Sequence, residues 1–291
     1  MKITLTGSLG NIGKPLAETL ISAGHEVRII SSKEGNIPAI KSLGGIPAIG
    51  NLQDLAFLTA AFKGADVVYT MIPPNFNVPD YRAYSATIGQ IYAQVIQAAG
   101  VTHIVNLSSM GAHLSEGTGL TVGAHEVAKI LNQIPGISIK HLAIPYIFTN
   151  LYGNIAMIRH MGMLGANYDA NTRLVMAHPL DIAAAVAKAI QAPFAGNEII
   201  YVVSDDRTTG EVAKALGQAI GQPDLPWVTF SDEQALTGMI QGGIREEIAR
   251  LLVEVGVAVR TGILWMPYGK KTGSRSLEVF AEEFATRYQQ N

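Results

Sequence analysis

Short, almost continuously apolar runs alternate with amphipathic segments along the first half of the chain. The apolar runs predict strands that are buried on both faces, as in a parallel sheet. They are Ile3–Thr6, Glu26–Ile30, Ile46–Ile49, Ala65–Met71, His103–Leu107 and Ser138–Ile144. The segments between them carry apolar residues at helical spacing and predict helices at Asn11–Ala23, near Ile37–Leu43, and at Asp54–Phe62, Tyr81–Ala99 and Val122–Gln133. This alternation predicts an α/β fold built on a doubly wound parallel sheet.

The alternation ends after Pro145, and the second half is predicted to be mostly helical. Residues 146–171 show little periodicity, and Thr208-Thr209-Gly210-Glu211 has the form of a capping box that opens a helix to about Ile220. Further predictions are helices at Asp181–Gln191 (capped by Asp181), Ser231–Ile240, Ile244–Val259 and Ser276–Tyr288, and a strand at Glu198–Val203. We therefore expect a core domain over residues 1–150 and a smaller, mostly helical C-terminal lobe over residues 151–291. The two are expected to interleave, with the segment near 176–205 returning to the sheet.

Composition excludes several classes of protein. The 291 residues are 48% hydrophobic and 15% charged, which suits a folded chain with a sizeable core. The 21 basic and 23 acidic residues give no signature of binding to nucleic acid or to a membrane surface. The absence of cysteine excludes disulfides, thiolate metal sites and a cysteine nucleophile, and it fits a reducing compartment. Neither a leader segment nor an apolar run of about 20 residues is visible, so we expect a cytoplasmic protein.

A glycine-rich turn follows the first predicted strand and opens the first predicted helix. It consists of Gly7, Ser8, Leu9, Gly10, Asn11, Ile12 and Gly13. Gly7 permits the tight turn, Gly10 leaves room for a pyrophosphate against the backbone, and Gly13 allows close packing of helix on strand. Free amides and the helix dipole are then expected to bind the phosphates of a dinucleotide. A purely structural turn is the alternative interpretation in a chain with 30 glycines.

The spacing G-x-x-G-x-x-G after Thr6 resembles that of the short-chain dehydrogenase/reductase superfamily, in its extended and atypical branches. Three later segments are similar, in their order along the chain, to the NmrA-like atypical branch of that superfamily. They are Ile72-Pro73-Pro74, Leu107-Ser108-Ser109 and Pro145-Tyr146-Ile147-Phe148-Thr149-Asn150. The resemblance implies a Rossmann core that binds NAD(P)H. Some members of this branch reduce quinones or other small electrophiles with NADPH, and others have lost catalysis and sense dinucleotides.

The turn after the second predicted strand bears on the choice of dinucleotide. In NAD-preferring sites a carboxylate at this place binds the ribose 2′-hydroxyl. Here Ser31, Ser32 and Lys33 precede the first carboxylate, and hydroxyls with a lysine suit a 2′-phosphate. We therefore favour NADP(H), while NAD(H) stays open as the alternative if Lys33 is only a solvated turn residue. The resemblance also implies cofactor contacts at Asn51, Leu52, Ile72, Pro73, Pro74 and Ser108.

The candidate chemical site lies beyond the carboxyl ends of the strands, where ligands bind in open α/β sheets. The resemblance gives Ser109 a substrate-orienting hydroxyl and places Tyr146 in the nicotinamide and substrate pocket. The superfamily's Tyr-x-x-x-Lys motif is absent, and the matching helix instead carries His125 and Lys129 on one face. Lys129 is then expected to reach a cofactor ribose, and His125 to donate a proton near neutral pH. The alternative is that His125 and Lys129 are surface residues and that the aromatic residues from Tyr146 to Tyr152 are packing residues.

Other chemistries find no support in the sequence. It lacks histidine pairs with metal-ligand spacing, a G-x-S-x-G elbow and a Walker loop, so no metal site, hydrolase or P-loop enzyme is predicted. The first hypothesis is an NADP(H)-dependent reductase that transfers hydride to a small, apolar carbonyl or quinone substrate. The second is a non-catalytic dinucleotide sensor of the NmrA type, and a weaker third is a sugar-nucleotide epimerase. The long helices Tyr81–Ala99 and Val122–Gln133 are the place where a homodimer would form.

Overall fold

A seven-stranded sheet positions most of the candidate site residues. The computed structural model of the protein describes residues 1–266, 268 and 272–290. In the order in which they pair, the strands are β10 (Asn197–Tyr201), β6 (Ser138–Ile144), β5 (His103–Ser109), β4 (Val67–Thr70), β1 (Lys2–Leu5), β2 (Glu26–Ser31) and β3 (Ile46–Ile49). Parallel pairs join β1 to β2 and to β4, β2 to β3, and β4 to β5. The predicted α/β fold with a parallel sheet is confirmed.

Helices connect these strands, as parallel pairing requires. In the first half they are α1 (Gly13–Ser22), α2 (Ile37–Ser42), α3 (Leu55–Phe62), α4 (Tyr81–Ala99) and α5 (Val122–Leu131). Each corresponds to a predicted helix, and α4 has the predicted bounds. Its ends follow from local chemistry, because the carboxylate of Asp80 accepts a hydrogen bond from Ala83 N and Gly100 ends the helix in the left-handed conformation.

The second half contains the predicted helices, together with one helix, Ile155–Met161, and several short strands that were not predicted. The helices are α6 (Ile155–Met161), α7 (Pro179–Gln191), α8 (Thr209–Ala219), α9 (Asp232–Gln241), α10 (Glu246–Arg260) and α11 (Leu277–Gln290). The short strands are β7 (Tyr146–Ile147), β8 (Leu164–Ala166), β9 (Arg173–Ala177), β11 (Asp205–Thr208) and β12 (Trp227–Thr229). They form a sheet of order β11-β9-β7 and a pair β12-β8. Within the described residues, no helix has both the length and the apolar character that crossing a membrane requires.

The chain divides into two compact units. The first comprises Met1–Ala112, Gly123–Ala143 and Ile182–Ile200, and it contains nearly all of the central sheet. The second comprises His113–Val122, Ile144–Asp181 and Tyr201–Asn291. Each unit has its own buried core.

Polar groups buried in the first unit are satisfied by hydrogen bonds. Tyr92 is fully buried, and its hydroxyl donates to the carbonyl oxygen of Met71 at 2.7 Å. Lys140 is buried as well, and its ammonium closes the C-terminal end of α7, where helix carbonyls lack partners. It donates at 2.8–2.9 Å to the carbonyl oxygens of Ala189, Ala192 and Pro193.

A row of hydrogen-bonded polar side chains also crosses this unit. Thr70 Oγ1 donates to Asn106 Oδ1 at 3.0 Å, and Asn106 Nδ2 donates to His141 Nδ1 at 3.1 Å. His141 Nε2 donates at 3.0 Å to Asn132 Oδ1, which also accepts from Asn197 Nδ2 at 2.9 Å. These bonds suit a neutral ring with its proton on Nε2. Burial lowers the pKa of His141 to about 4, so the ring is neutral at physiological pH.

Aromatic residues fill the core of the second unit. The rings of Phe148 and Phe280 stack with their centroids 5.0 Å apart. The ring of Tyr152 lies 5.3 Å from Phe280 and 5.9 Å from Phe284. Phe148, Phe280 and Phe284 are fully buried. Of the two interpretations of Phe148 and Tyr152, the structure therefore supports packing.

The predicted capping role of Asp181 is wrong. The helix α7 begins two residues earlier, at Pro179, so Asp181 lies within its first turn. Its carboxylate is buried and accepts hydrogen bonds of 2.6 Å from Ser204 Oγ and from the guanidinium of Arg275. The side chain thus joins distant segments of the second unit instead of capping its own helix.

Candidate functional site

The glycine-rich turn between β1 and α1 bends sharply. Gly7 has a φ of 90° and Ser8 a φ of 54°, and Ser8 is the only non-glycine residue with a positive φ among the described residues. Ser8 N donates to Ile30 O at 3.1 Å, which attaches the turn to the end of β2. Lys14 N donates to Gly10 O at 3.0 Å as α1 begins. The first amides of a helix lack intrahelical acceptors and lie at the positive end of the helix dipole.

The three glycines differ in what a side chain would contact. A Cβ atom on Gly7 would lie 3.0 Å from Met71 Cγ. A Cβ atom on Gly13 would overlap the carbonyl oxygen of Ser8, so Gly13 lets the turn fold back onto its helix. This differs from the expected helix-on-strand contact. A Cβ atom on Gly10 would meet only Gly7 O, at an ordinary 3.6 Å. The space above Gly10 is therefore open.

This turn has the features that a pyrophosphate requires. Phosphate oxygens accept hydrogen bonds and carry negative charge, and both are favoured at a helix N-terminus. The open backbone at Gly10 allows the oxygens to approach the amides, and a Cβ atom there would occupy the same space. The residues assigned to phosphate binding from the sequence form one continuous turn in the structure: Gly7, Ser8, Leu9, Gly10, Asn11, Ile12 and Gly13.

The turn after β2 presents two of its three candidate residues to a ligand. Ser31 is buried, and its Oγ accepts from Lys33 N at 3.2 Å and donates to Lys33 O at 3.4 Å. Ser32 and Lys33 are exposed. A ligand at this corner can therefore reach the side chains of Ser32 and Lys33, while Ser31 shapes the turn.

Asn36 belongs to the same corner, although the sequence did not predict it. Its Nδ2 atom donates to Ser31 Oγ at 2.9 Å and to Ser8 Oγ at 3.0 Å. The residue lies at the end of a short 3₁₀ turn, Glu34–Asn36. A polar side chain soon after the second strand is the only sequence signal that points to it. Its partners are visible only in the folded chain, because Ser8 is 28 residues away.

The segment after β3 contains the two residues assigned to the adenine. Asn51 is exposed, and its Oδ1 accepts a hydrogen bond from Gln53 N at 2.9 Å. Leu52 is partly buried and packs against the core of the first unit. Since β3 is the neighbour of β2 in the sheet, both residues lie at the carboxyl edge on the side of the Ser31 turn.

The segment after β4 is attached both to the glycine-rich turn and to α4. Met71 N donates to Thr6 Oγ1 at 3.0 Å, and Thr6 directly precedes Gly7. The carbonyl oxygen of Pro73 accepts a hydrogen bond of 3.0 Å from the Tyr84 hydroxyl of α4. These bonds fix the loop that contains the remaining assigned residues, Ile72, Pro73 and Pro74.

Two hydrogen bonds through Ala112 connect Ser109 to His125. Ala112 N donates to Ser109 O at 3.1 Å, and Ala112 O accepts from His125 Nδ1 at 2.9 Å. A carbonyl oxygen only accepts, so Nδ1 carries a proton and Nε2 of the neutral ring is an acceptor. The Ser109 hydroxyl donates to Met110 O at 3.0 Å, and Ser108 is buried beside it. The ring can donate from Nε2 only when it is protonated.

Helix α5 carries charged residues around His125. Arg82 of α4 donates from Nε to Glu126 Oε1 at 2.8 Å, which joins the two helices. This hydrogen bond and the charge of Arg82, with smaller contributions from Lys129 and His125, hold the pKa of Glu126 below its usual range. Lys129 is exposed one turn after His125. Its ammonium is therefore available to a ligand oxygen.

Tyr146 belongs to the second unit, where it begins β7 and pairs with Met176 of β9. Burial, with a smaller contribution from Tyr168, raises the pKa of the Tyr146 hydroxyl above its ordinary value. In the Tyr-x-x-x-Lys arrangement the lysine lowers the pKa of the tyrosine, so Tyr146 is shifted in the opposite direction. As a proton donor it is weaker than a tyrosine in water.

The first unit brings most candidate residues to one edge of the sheet. The phosphate turn, the Ser31 turn and the Pro73 loop come at the ends of β1, β2 and β4, and Ser109 is the last residue of β5. The carboxyl ends of these strands share that edge. Within the described part of the chain, no three His, Asp or Glu side chains are grouped so that they could hold a metal ion.

Comparison with known proteins identifies relatives over most of the chain. A family model described as the NmrA-like family matches residues 1–262. An uncharacterized protein of Schizosaccharomyces pombe is 27% identical over 259 residues, which is 81% of this chain and 85% of that protein.

Two solved structures share the fold of the protein. The NADPH-dependent quinone oxidoreductase of Escherichia coli in complex with NADPH has a TM-score of 0.81 at 19% identity, over 97% of this chain and 99% of that one. The triphenylmethane reductase of Citrobacter sp. in complex with NADP(H) has a TM-score of 0.79 at 17% identity, over 97% and 99%.

Proposed function

The chain belongs to the NmrA-like family, and on that premise we propose that it is an NADP(H)-dependent reductase that transfers hydride to a small, apolar carbonyl or quinone. The observation that carries the proposal is the phosphate turn, where open backbone at Gly10 meets the amides at the start of α1. Further support comes from the quinone oxidoreductase and the triphenylmethane reductase, which have this fold and were crystallised with NADPH or NADP(H).

Residues of the first unit hold the cofactor in this proposal. The amides of residues 9–13 bind the pyrophosphate. Ser32 and Lys33 provide a hydroxyl and a positive charge for the 2′-phosphate, since both are exposed in the turn after β2. The loop Ile72–Pro74 lies beside the nicotinamide, and Lys129 donates to its ribose. This set of groups fits NADP(H) better than NAD(H), because the turn reaches Lys33 before any carboxylate.

The reaction requires mainly that the protein positions the substrate against the cofactor and excludes water from the site. When bound, the nicotinamide supplies the hydride. Ser109 orients the substrate oxygen. A protonated His125 donates from Nε2, because Ala112 O occupies Nδ1. Reduction of a quinone needs no strongly placed acid, since the reduced product is a stable anion, whereas reduction of an aldehyde does need one. We therefore infer that quinones are the better substrates.

Turnover of NADPH tests the proposed function. The purified protein is expected to oxidise NADPH in the presence of a panel of quinones, with slower oxidation in the presence of aldehydes. The measurement is the loss of NADPH absorbance under saturating acceptor. A Gly10→Glu variant serves as control and is expected to be inactive, because its side chain fills the phosphate site. Activity that persists in this variant would come from a contaminant or from another site, and would contradict the proposal.

Exchanging the charge of Lys33 is expected to change the choice of dinucleotide. We expect Lys33→Glu to weaken NADPH binding about tenfold, since an exposed attraction to the 2′-phosphate becomes a repulsion. NADH binding should stay within about threefold, because NADH lacks that phosphate. Calorimetric titration of both dinucleotides measures the ratio. Lys63→Glu, the same charge change at an exposed residue after α3, is the matched control and should leave both affinities unchanged.

A dinucleotide sensor is the second candidate, and one observation favours it. The helix that matches the superfamily's catalytic helix offers His125 in place of the tyrosine, and the Nδ1 proton of its ring is already donated to Ala112 O. Tyr146, with its raised pKa, does not replace the missing acid. Tight NADPH binding without turnover of any quinone or aldehyde in the panel would support this candidate over the reductase.

The proposal includes the cellular setting and the assembly of the protein. A chain without cysteine that uses NADPH suits the cytoplasm, and cell fractionation tests this location. Helices α4 and α5, joined by Arg82 and Glu126, provide a surface for a second copy of the chain. Sedimentation measures whether the protein is a homodimer.

A further inference from the structure

We infer that Asn36 sets the preference for a 2′-phosphate by fixing the direction in which the Ser8 hydroxyl donates. The inference rests on the proposed function, since it requires that the phosphate turn binds the adenosine half of a dinucleotide. Asn36 is a positioning residue in this account, because it acts through Ser8.

Asn36 connects the two parts of the chain that border the adenosine ribose. One proton of Nδ2 is donated to Ser8 Oγ at 3.0 Å and the other to Ser31 Oγ at 2.9 Å. Ser8 belongs to the phosphate turn, and Ser31 ends β2. Ser8 N also donates to Ile30 O, so the backbones meet at the same place. The 2′ position of the ribose lies at the end of the second strand in this fold, which is the corner that Asn36 spans.

The donor and acceptor roles in these hydrogen bonds determine which donors and acceptors a ligand meets at this corner. An amide nitrogen only donates, so Ser8 Oγ is the acceptor and its own proton points away from Asn36. Ser31 Oγ accepts from both Asn36 and Lys33 N and gives its proton to Lys33 O. The Ser8 proton is therefore not directed at Asn36 and can be donated to a ligand, and Ser32 and Lys33 of the turn after β2 are exposed. A 2′-phosphate accepts hydrogen bonds and suits these donors, whereas a 2′-hydroxyl also requires an acceptor.

Aspartate at position 36 reverses this arrangement with almost no change of shape. The carboxylate oxygen in the place of Nδ2 would accept protons from Ser8 and Ser31, which turns the Ser8 proton inward. The negative charge would repel a 2′-phosphate and would provide an acceptor for a 2′-hydroxyl, as carboxylates near this position do in NAD-preferring sites.

Binding of the adenosine halves tests the inference without reference to turnover. We titrate 2′,5′-ADP and 5′-AMP calorimetrically into the wild type and Asn36→Asp, after confirming by thermal unfolding that both are folded. The wild type is expected to prefer 2′,5′-ADP at least about tenfold, and Asn36→Asp to lower that ratio at least about tenfold. An unchanged ratio in the variant overturns the role of Asn36 and leaves the proposed function intact. A wild type that binds neither nucleotide overturns the proposed function itself.

A double-mutant cycle separates positioning from a merely structural role. Ser8→Gly removes the hydroxyl, and glycine adopts the positive φ of this position without strain. Asn36→Ala alone is expected to lower the 2′,5′-ADP preference about threefold, and to lower it no further in the Ser8→Gly background. Equal effects in both backgrounds would show that Asn36 does not act through Ser8, and would overturn the inference.

Discussion

Replacing Gly10 with alanine is expected to weaken NADPH binding at least about 100-fold, or about 3 kcal/mol, while leaving the fold intact. The added Cβ atom would contact only Gly7 O, at 3.6 Å, so the free protein accommodates it. In the complex, the same atom would occupy the space of a phosphate oxygen. Calorimetry with NADPH measures the loss of binding, and thermal unfolding should show a midpoint within about 2 °C of that of the wild type.

Gly13→Ala is the matched comparison, because it adds the same methyl group three residues later. Here the Cβ atom would overlap the carbonyl oxygen of Ser8, so the turn must move. Alanine gains about 1 kcal/mol over glycine in a helix, but an overlap with rigid backbone costs more than this gain. We expect a net loss of about 1–2 kcal/mol in the free energy of unfolding. NADPH binding by Gly10→Ala at wild-type affinity would show that the phosphates do not lie above Gly10.

Lowering the pH from 6.5 to 4 is expected to remove about 3 kcal/mol of stability through His141. The ring is buried, and burial lowers its pKa from 6.5 to about 4, whereas in the unfolded chain it titrates normally. Between these values the unfolded state binds more protons than the folded state, so the free energy of unfolding falls as the pH falls. A difference of about 2.5 pKa units corresponds to about 3 kcal/mol. Protonation would also place a proton on Nδ1 of the ring, so that Nδ1 could no longer accept the hydrogen bond from Asn106 Nδ2.

Urea unfolding at several pH values measures this contribution. His141→Gln is expected to be less stable than the wild type near pH 7, because the row of hydrogen bonds from Thr70 to Asn197 is disturbed. Its stability should depend much less on pH between 4 and 6.5, because the titrating group has been removed. His160→Gln changes an exposed histidine and is the control. Parallel pH profiles for the wild type and His141→Gln would contradict the assignment.

The sequence predicted the elements that local patterns determine. Helix α4 has the predicted bounds because Asp80 and Gly100 mark its ends, and the capping box of Thr208 and Glu211 opens α8 as expected. The strands of the second unit were missed because they have two to five residues and are defined by their partners. Arg173–Ala177, for example, is a strand through pairing with Asp205–Thr208, about 30 residues away. The partners of Asp181, Ser204 and Arg275, lie 23 and 94 residues away, so a local capping rule could not identify them.

The candidate site likewise has a part that local sequence patterns predict and a part that only the folded chain reveals. The phosphate turn follows from glycine spacing next to a strand, because each glycine has a separate steric reason. No pattern of spacing reveals that Asn36 reaches Ser8, or that Ala112 fixes the proton of His125 on Nδ1, since both depend on where loops fold back. The roles of Ser109, His125, Lys129 and Tyr146 stay predictions, because they depend on a substrate.

The unequal surroundings of Gly10 and Gly13 determine which substitutions a homologue can accept at each position. A descendant that stops using the dinucleotide is under no structural constraint at position 10, where a methyl group finds room. The same descendant loses stability if position 13 gains a side chain, because a Cβ atom there would overlap the carbonyl oxygen of Ser8. Loss of the middle glycine beside a preserved third one would therefore be the early mark of a homologue that has abandoned its coenzyme while keeping its architecture.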